Sequence, residues 1–173
     1  MEQQGAPDKL WSMIKKYRFA MLTTREGEAL RSRPMTTIEH DLDGALWFFA
    51  KSDSAAVSAL SAHAQVALSY SDAGNLDFVS VAGAATIITD VAKKKQLWHP
   101  AVQAWFPEGA ESPENVLLKV APDHAEYWDS KSNKLVQLFS MAMALATGAP
   151  PPDLGEHRTV ALSAGKNTVN SVV

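Results

Sequence analysis

Residues 31–51 read RSRPMTTIEHDLDGALWFFAK, and the rest of the chain is arranged around them. Two β-prone runs flank Asp43-Gly44, a dipeptide that favours the tight turn of a hairpin. Basic residues stand at one end and aromatics at the other, and SDSAAVSAL follows at once as a helix start. Side chains alternate along a strand, so Arg31, Arg33 and Met35 share one face while Ser32, Pro34 and Thr36 share the other. Trp47, Phe49 and Lys51 share a face of the next strand by the same rule. Pro34 has no N–H to give a ladder, so its strand is expected at a sheet edge or at a bulge.

Working outward from this stretch, residues 1–6 read as a disordered lead-in. From Pro7, the apolar residues Leu10, Trp11, Met13, Ile14 and Tyr17 recur every three or four positions, which predicts an amphipathic helix. Phe19–Thr24 is a strand, Glu26-Gly27-Glu28 a turn and Leu30–Ile38 the second strand. Ala45–Ala50 is the third strand, and the helix over 54–62 has Ser52, Asp53 or Ser54 as its N-cap. Gln65–Ser71 and Asp77–Asp90 are further strands, the second with a bulge or bend expected at Gly83. A helix over Val91–Leu97 starts from Asp90. Then comes the Pro-broken WHPAVQAWFP, and a last strand or strand pair over Val116–Val120 and Ala125–Trp128. Lys134–Thr147 reads as an apolar helix stopped at Gly148, either packed on the barrel or in a dimer contact. One domain over 7–148 is expected, with 149–173 a Pro-rich connector and polar tail. Short strands at this spacing, with few long helices between them, predict a small barrel or sandwich.

Composition narrows the function. A chain of 173 residues suits one well-buried domain, and 46% hydrophobic with 20% charged residues suits a folded one. A net charge of −3 argues against nucleic acid as a partner. The absence of cysteine excludes disulfides and thiolate chemistry. No apolar run reaches the ~18 residues of a membrane span, and the N-terminus lacks the pattern of a signal peptide. A cytoplasmic protein that contacts no membrane is the expectation. The five histidines (40, 63, 99, 124 and 157) have no ligand spacing, so no metal is expected. No phosphate loop, dinucleotide fingerprint or nucleophile elbow is present, and no residue is nominated as general acid or base.

Three groups carry candidate chemistry, each beside a plainer reading. Arg31 and Arg33 offer rigid donor forks for a phosphate or the polar edge of a ring; the alternative is a solvated strand face paired with acids such as Glu39. Lys51, Ser52 and Ser54 at a strand-to-helix junction suit a phosphate; the alternative is simple N-capping, which Asp53 favours. Trp47, Phe48 and Phe49 are core by default. Trp98 and Trp105 leave apolar area for a partner subunit or a flat ligand to cover.

Taken in order, FAMLTT (19–24), RSRPM (31–35), LWFFAKSDSA (46–55), QLWHPAVQAWFPEG (96–109), AEYWD (125–129) and GEH (155–157) resemble one family from about residue 8 to about 162. It is the pyridoxamine 5′-phosphate oxidase-like flavoproteins, in their general stress protein branch. The resemblance implies a mainly β fold, a six-stranded antiparallel split β-barrel with flanking α-helices. It also implies a homodimer that binds FMN (FAD being possible) at the subunit interface. Arg31, Ser32, Arg33 and Pro34 then border the flavin ring and its side chain. Trp47, Phe48, Phe49, Lys51, Ser52 and Ser54 lie on the phosphate side, and Trp98, Trp105 and Trp128 are interface-wall candidates. The family often carries a phosphate-binding lysine where this chain has Ala56, which leaves Lys51 as the expected main cation there. Three functions follow: a stress-type flavin-binding protein with possible weak redox activity, a flavin-dependent oxidoreductase of small molecules, or a non-enzymatic interaction module.

Overall fold

The computed structural model describes residues 6–40, 44–129, 148, 156–163 and 166–170. Helix α1 (Ala6–Tyr17) precedes strands β1 (Phe19–Glu26), β2 (Ala29–Thr36), β3 (Glu39–His40) and β4 (Leu46–Lys51). Helix α2 (Ala55–Ala62) leads to β5 (Gln65–Asp72) and β6 (Asp77–Ile88). Helices α3 (Val91–Leu97) and α4 (Pro100–Trp105) come next, then β7 (Asn115–Asp129), β8 (Glu156–Ser163) and β9 (Lys166–Asn170). The strands run in the order β2-β1-β5-β6-β7-β4-β3, with β8 on β7 and β9 on β8, and every pairing is antiparallel.

This order closes the sheet on itself. β2 and β3 lie at opposite ends of the path, yet only Thr37 and Ile38 separate them in the chain. Three peptide steps span at most about 11 Å, so the two ends stand side by side. β2 touches β4 without pairing to it, which leaves a seam in an otherwise rolled sheet. That is a split β-barrel, as the resemblance implied.

The expected hairpin within 31–51 is resolved differently. β2 pairs along its whole length with β1, and only Glu39 and His40 turn back onto Trp47 and Leu46 of β4. Pro34 therefore lies on an edge strand, as its missing N–H requires. Gly44 holds a positive φ of 76°.

Inside the barrel lie Leu22, Leu46, Phe48, Leu68, Val81 and Leu118, joined by Leu10, Met13 and Ile14 of α1. The predicted spacing on α1 is thus the spacing that buries it. β7 is a single strand bent by one irregularity: Ala82 faces His124 while Gly83 faces Pro122, so Asp123 is the extra residue of a bulge. Its first half pairs with β4 and its second half with β8. The tail expected after residue 149 thus contains two strands, and Val160 is buried in the barrel core. The expected helix over 134–147 lies outside the described residues, as does the lead-in apart from Ala6. Among the described residues no helix is long and apolar enough to cross a membrane.

A second apolar cluster covers the outer face of β4. Trp47 and Phe49 pack there with Leu97, Val102 and Leu117, and with the partly buried Trp98 and Phe106. Lys94 underpins this layer: it is 1% exposed, and its ammonium donates to the carbonyls of Ser112 (2.8 Å) and Asn115 (2.9 Å). Lys94→Met keeps the stem but removes the ammonium donor from both carbonyls, leaving the Ser112 carbonyl only the Asn115 N–H at 3.3 Å, and losing such bonds in a buried site costs ~1–3 kcal/mol. We expect urea unfolding to show a loss of about 2 kcal/mol; an unchanged midpoint would refute this role.

Candidate functional site

The register of β1 with β2 decides where the arginines point. Arg31 and Arg33 lie opposite Thr24 and Leu22, which are 1% and 0% exposed, so both arginines leave the strand on its barrel-interior side. Ser32, Pro34 and Thr36 lie opposite Thr23, Met21 and Phe19 on the outer side, where Ser32 and Thr23 share a 2.7 Å hydrogen bond. The predicted alternation holds. β2 is paired on one edge alone and its other edge lies near β4 across the seam.

The two arginines differ in freedom. Arg33 donates to Thr24 Oγ1 at 2.8 Å and pairs with the Glu26 carboxylate. Arg31 is exposed and has no side-chain partner among the described residues.

Across the seam, β4 ends at Lys51 and the chain enters α2. Ser54 is the N-cap among the three candidates: its Oγ accepts from Val57 N–H at 3.4 Å and its carbonyl from Ser58 N–H at 3.0 Å. Ser52 is exposed, and its N–H donates to the Glu114 carbonyl at 2.8 Å. The first-turn N–H groups of an α-helix have no intrahelical acceptor, so Ala55 and Ala56 bring free donors to this end. Lys51 turns the other way. By strand alternation it follows Trp47 and Phe49 onto the outer face, where its ammonium pairs with Glu108 and lies 5.6 Å from the Phe106 ring centroid. That hydrogen bond is the main cause holding the Glu108 carboxyl below its ordinary pKa. Lys51 is therefore a committed cation and Arg31 an uncommitted one.

The aromatics divide as well. Phe48 fills the barrel interior. Trp47 is 4% exposed beneath the ammonium groups of Lys93 (4.6 Å) and Lys119 (5.3 Å). Phe49 meets Trp98 edge-on at 5.1 Å, and the Trp98 indole N–H donates to Gln103 Oε1 at 3.0 Å. The WHPAVQAWFP segment is thus mostly a core cover: in α4 and its flanks Trp98, Val102 and Phe106 point inward, and Trp105 alone of its tryptophans is left out, at 81% exposure. Its prolines had suggested an open surface, but Pro100 merely begins α4.

On the outer side of the sheet Trp128 lies flat on His157 of β8, with centroids 4.9 Å apart and planes 5° apart. Phe78 is its neighbour across β6, and Phe19, Met21 and Leu30 are exposed on β1 and β2. The sequence reading had His157 in the GEH motif but not beside Trp128, because nothing local pairs residue 157 with residue 128. Within one chain, then, Arg31 and Arg33 stand on the interior side of β2, while Ser32, Pro34 and Trp128 lie on the outer sheet face.

A cleft of about 330 Å3 adjoins the seam. Arg25, Glu26 and Gly27 at the end of the β1–β2 hairpin form one wall, and Ala55, Ser58, Ala59 and Ala62 of α2 form the other. Glu26 ties this wall to Arg33. The recurrence of small residues every three or four positions on α2 was legible in the sequence, but its opposition to Arg25 was not. Among the described residues no His, Asp or Glu group is arranged to hold a metal.

The sequence model of a family described as pyridoxamine 5′-phosphate oxidase like matches residues 5–153. Protein bli-3 of Neurospora crassa is 27% identical over 152 residues, covering 82% of this chain and 73% of that protein. Among solved structures, the general stress FMN/FAD binding protein of Xanthomonas citri is 36% identical, with 72% of this chain and 89% of that chain covered and a TM-score of 0.64. A pyridoxamine 5′-phosphate oxidase-related, FMN binding protein from Nostoc punctiforme is 11% identical over the whole of both chains with a TM-score of 0.71, a likeness of fold alone.

Proposed function

Because the chain belongs to the pyridoxamine 5′-phosphate oxidase-like family, we propose that it is a flavin-binding protein of the general stress type, holding FMN in the seam of its split barrel. What supports this reading is the side of β2 on which Arg31 and Arg33 stand, the barrel interior, together with the start of α2 directly after β4, the strand that β2 touches. The 36% identity to a general stress FMN/FAD binding protein supports it.

The residues present fit such a ligand. Arg31 supplies an uncommitted charge, and Arg33 a guanidinium fixed by Thr24 and Glu26. Ala55 and Ala56 supply backbone donors at a helix end that favours anions. The bound flavin would supply reversible electron acceptance; the protein binds, orients and shields it. No general acid or base is assigned.

The site is proposed to form between two copies of the chain. The exposed apolar residues Phe19 (69%), Met21 (43%), Leu30 (73%) and Phe78 (40%) give the outer sheet face a surface suited to burial against a second copy. Such a pairing would bring Ser32, Pro34 and Trp128 of one chain toward the seam of the other. Trp47, Phe48, Phe49 and Trp98 then act from behind, by packing the β4 wall, and Lys51 by clasping Glu108. Trp105 remains an interface candidate. The protein is proposed to work in the cytoplasm.

Titration of the purified protein with FMN tests this. We expect quenched flavin fluorescence, one flavin per chain and elution as a dimer. Unchanged flavin and tryptophan fluorescence would refute the reading.

A further inference from the structure

We propose that the outer face of β5–β8 docks a second copy of the chain with uptake of protons, through the neighbouring side chains of His124 and Glu126. This rests on the dimer reading above and adds a regulation of that contact by pH. Alternation decides which groups stand on the face. Ala125 and Tyr127 of β7 are buried inside the barrel, so His124, Glu126 and Trp128 stand outside it. Beside them, by register, lie Ala82, Ser80 and Phe78 of β6 and Thr159 and His157 of β8.

A second copy fits this face in size and in charge. Strands lie ~4.8 Å apart and rise ~3.3 Å per residue, so four strands of about eight residues present about 500 Å2. Two copies then bury about 1,000 Å2, the size a specific interface must reach. A two-fold contact sets one patch against itself. His124 and Glu126 stand two residues apart on one strand, and two such strands meeting antiparallel set each His124 beside the other's Glu126.

Within one chain His124 Nε2 lies 3.5 Å from Glu126 Oε1, which also accepts from Thr159 Oγ1 at 3.4 Å. Their side chains are 50% and 31% exposed, so water serves either charge state. Docking removes that water, and a buried carboxylate without a cation is strongly destabilising. Among the described residues His124 is the only cationic partner of Glu126. Arg25, on the outer side of β1, is held by the Gly27 carbonyl and by Glu28. His157 is stacked on Trp128, and the exposed Asp123 in the adjoining bulge adds negative charge. Arg158 alternates with His157 and Thr159 to the barrel side, where Val160 is buried. Neutrality therefore takes a proton, on His124 to complete the ion pair or on Glu126 to remove its charge. Either way each chain binds one proton on docking. Histidine charges between about pH 5 and 8, so docking tightens as pH falls through that range.

Fluorescence-detected sedimentation of the full chain at pH 6 and pH 8 tests the assignment. We expect the parent's dimer dissociation constant to rise about tenfold or more from pH 6 to pH 8. Glu126→Gln keeps the size and the acceptor for Thr159 but carries no charge. Its dimer should change by less than about threefold between the two pH values. His157→Gln should keep the parent's pH dependence. A parent dimer equally tight at both pH values would overturn the assignment and leave the dimer reading standing. So would a Glu126→Gln protein with the parent's pH dependence, or a His157→Gln protein without it. A parent that is monomeric at both pH values defeats both readings.

Discussion

Gly83→Ala is expected to lower the unfolding free energy by about 3 kcal/mol, the upper end of what overpacking costs. A Cβ added at Gly83 would lie 2.3 Å from the Ala121 carbonyl oxygen, 2.9 Å from the Pro122 Cα and 3.0 Å from the Ala121 carbonyl carbon. All three are backbone atoms of β7, so no side chain can swing aside. They belong to the bulge where β6 and β7 shift register, and β7 carries the ladders to β4 and β8 as well. Making room would move the strand on which half the sheet depends. Urea unfolding followed by tryptophan fluorescence gives the number. Stability within about 0.5 kcal/mol of the parent would mean that the bulge yields at no cost, contrary to this account.

For ligand affinity, the largest effect is expected at Arg31. A hydrogen bond to a charged group contributes ~1.5–3 kcal/mol, and tenfold in affinity is 1.4 kcal/mol. Arg31→Ala should therefore raise the Kd for FMN about 10- to 100-fold. Lys51→Ala should change it by no more than about threefold. The sequence suggested the opposite order, since Ala56 stands where a lysine is usual and Lys51 is the next cation along. Lys51, however, leaves β4 with Trp47 and Phe49 on the outer face and pairs with Glu108, while Arg31 is exposed on the seam side. Fluorescence titration of both variants decides between the two. A larger loss for Lys51→Ala would sink the assignment to Arg31.

Much of this was legible before any coordinates, and for one reason: it depends on neighbours in the chain. Alternation in RSRPM fixed which residues share a face, the missing N–H of Pro34 asked for an edge or a bulge and the structure has the edge, and Gly83 marked the place where β6 and β7 shift register. Asp90 was read as the start of a helix, and it caps α3 by accepting from Lys93 N–H at 2.7 Å. The apolar spacing of α1 named Leu10, Met13 and Ile14, all buried. The recurring motifs carried the family.

Tertiary structure alone decided the rest. Local pattern made residues 31–51 a hairpin, but β2 found a longer partner in β1, and only β3 was left to turn back onto β4. The proline-broken WHPAVQAWFP became a core cover because β4, central enough to be buried on both faces, needs an apolar layer outside as well as inside. Residues 156–163 form a strand because β7 runs beyond β4 and leaves hydrogen-bonding groups that β8 satisfies, and residues 166–170 pair in turn with β8. The pairing of Arg33 with Glu26 follows from the β1–β2 register, the stack of Trp128 on His157 from the pairing of β7 with β8, and the cleft between Arg25 and α2 from the packing of the helix beside β1. Periodicity fixes the face on which a side chain stands; only the closing of the sheet determines what that face meets.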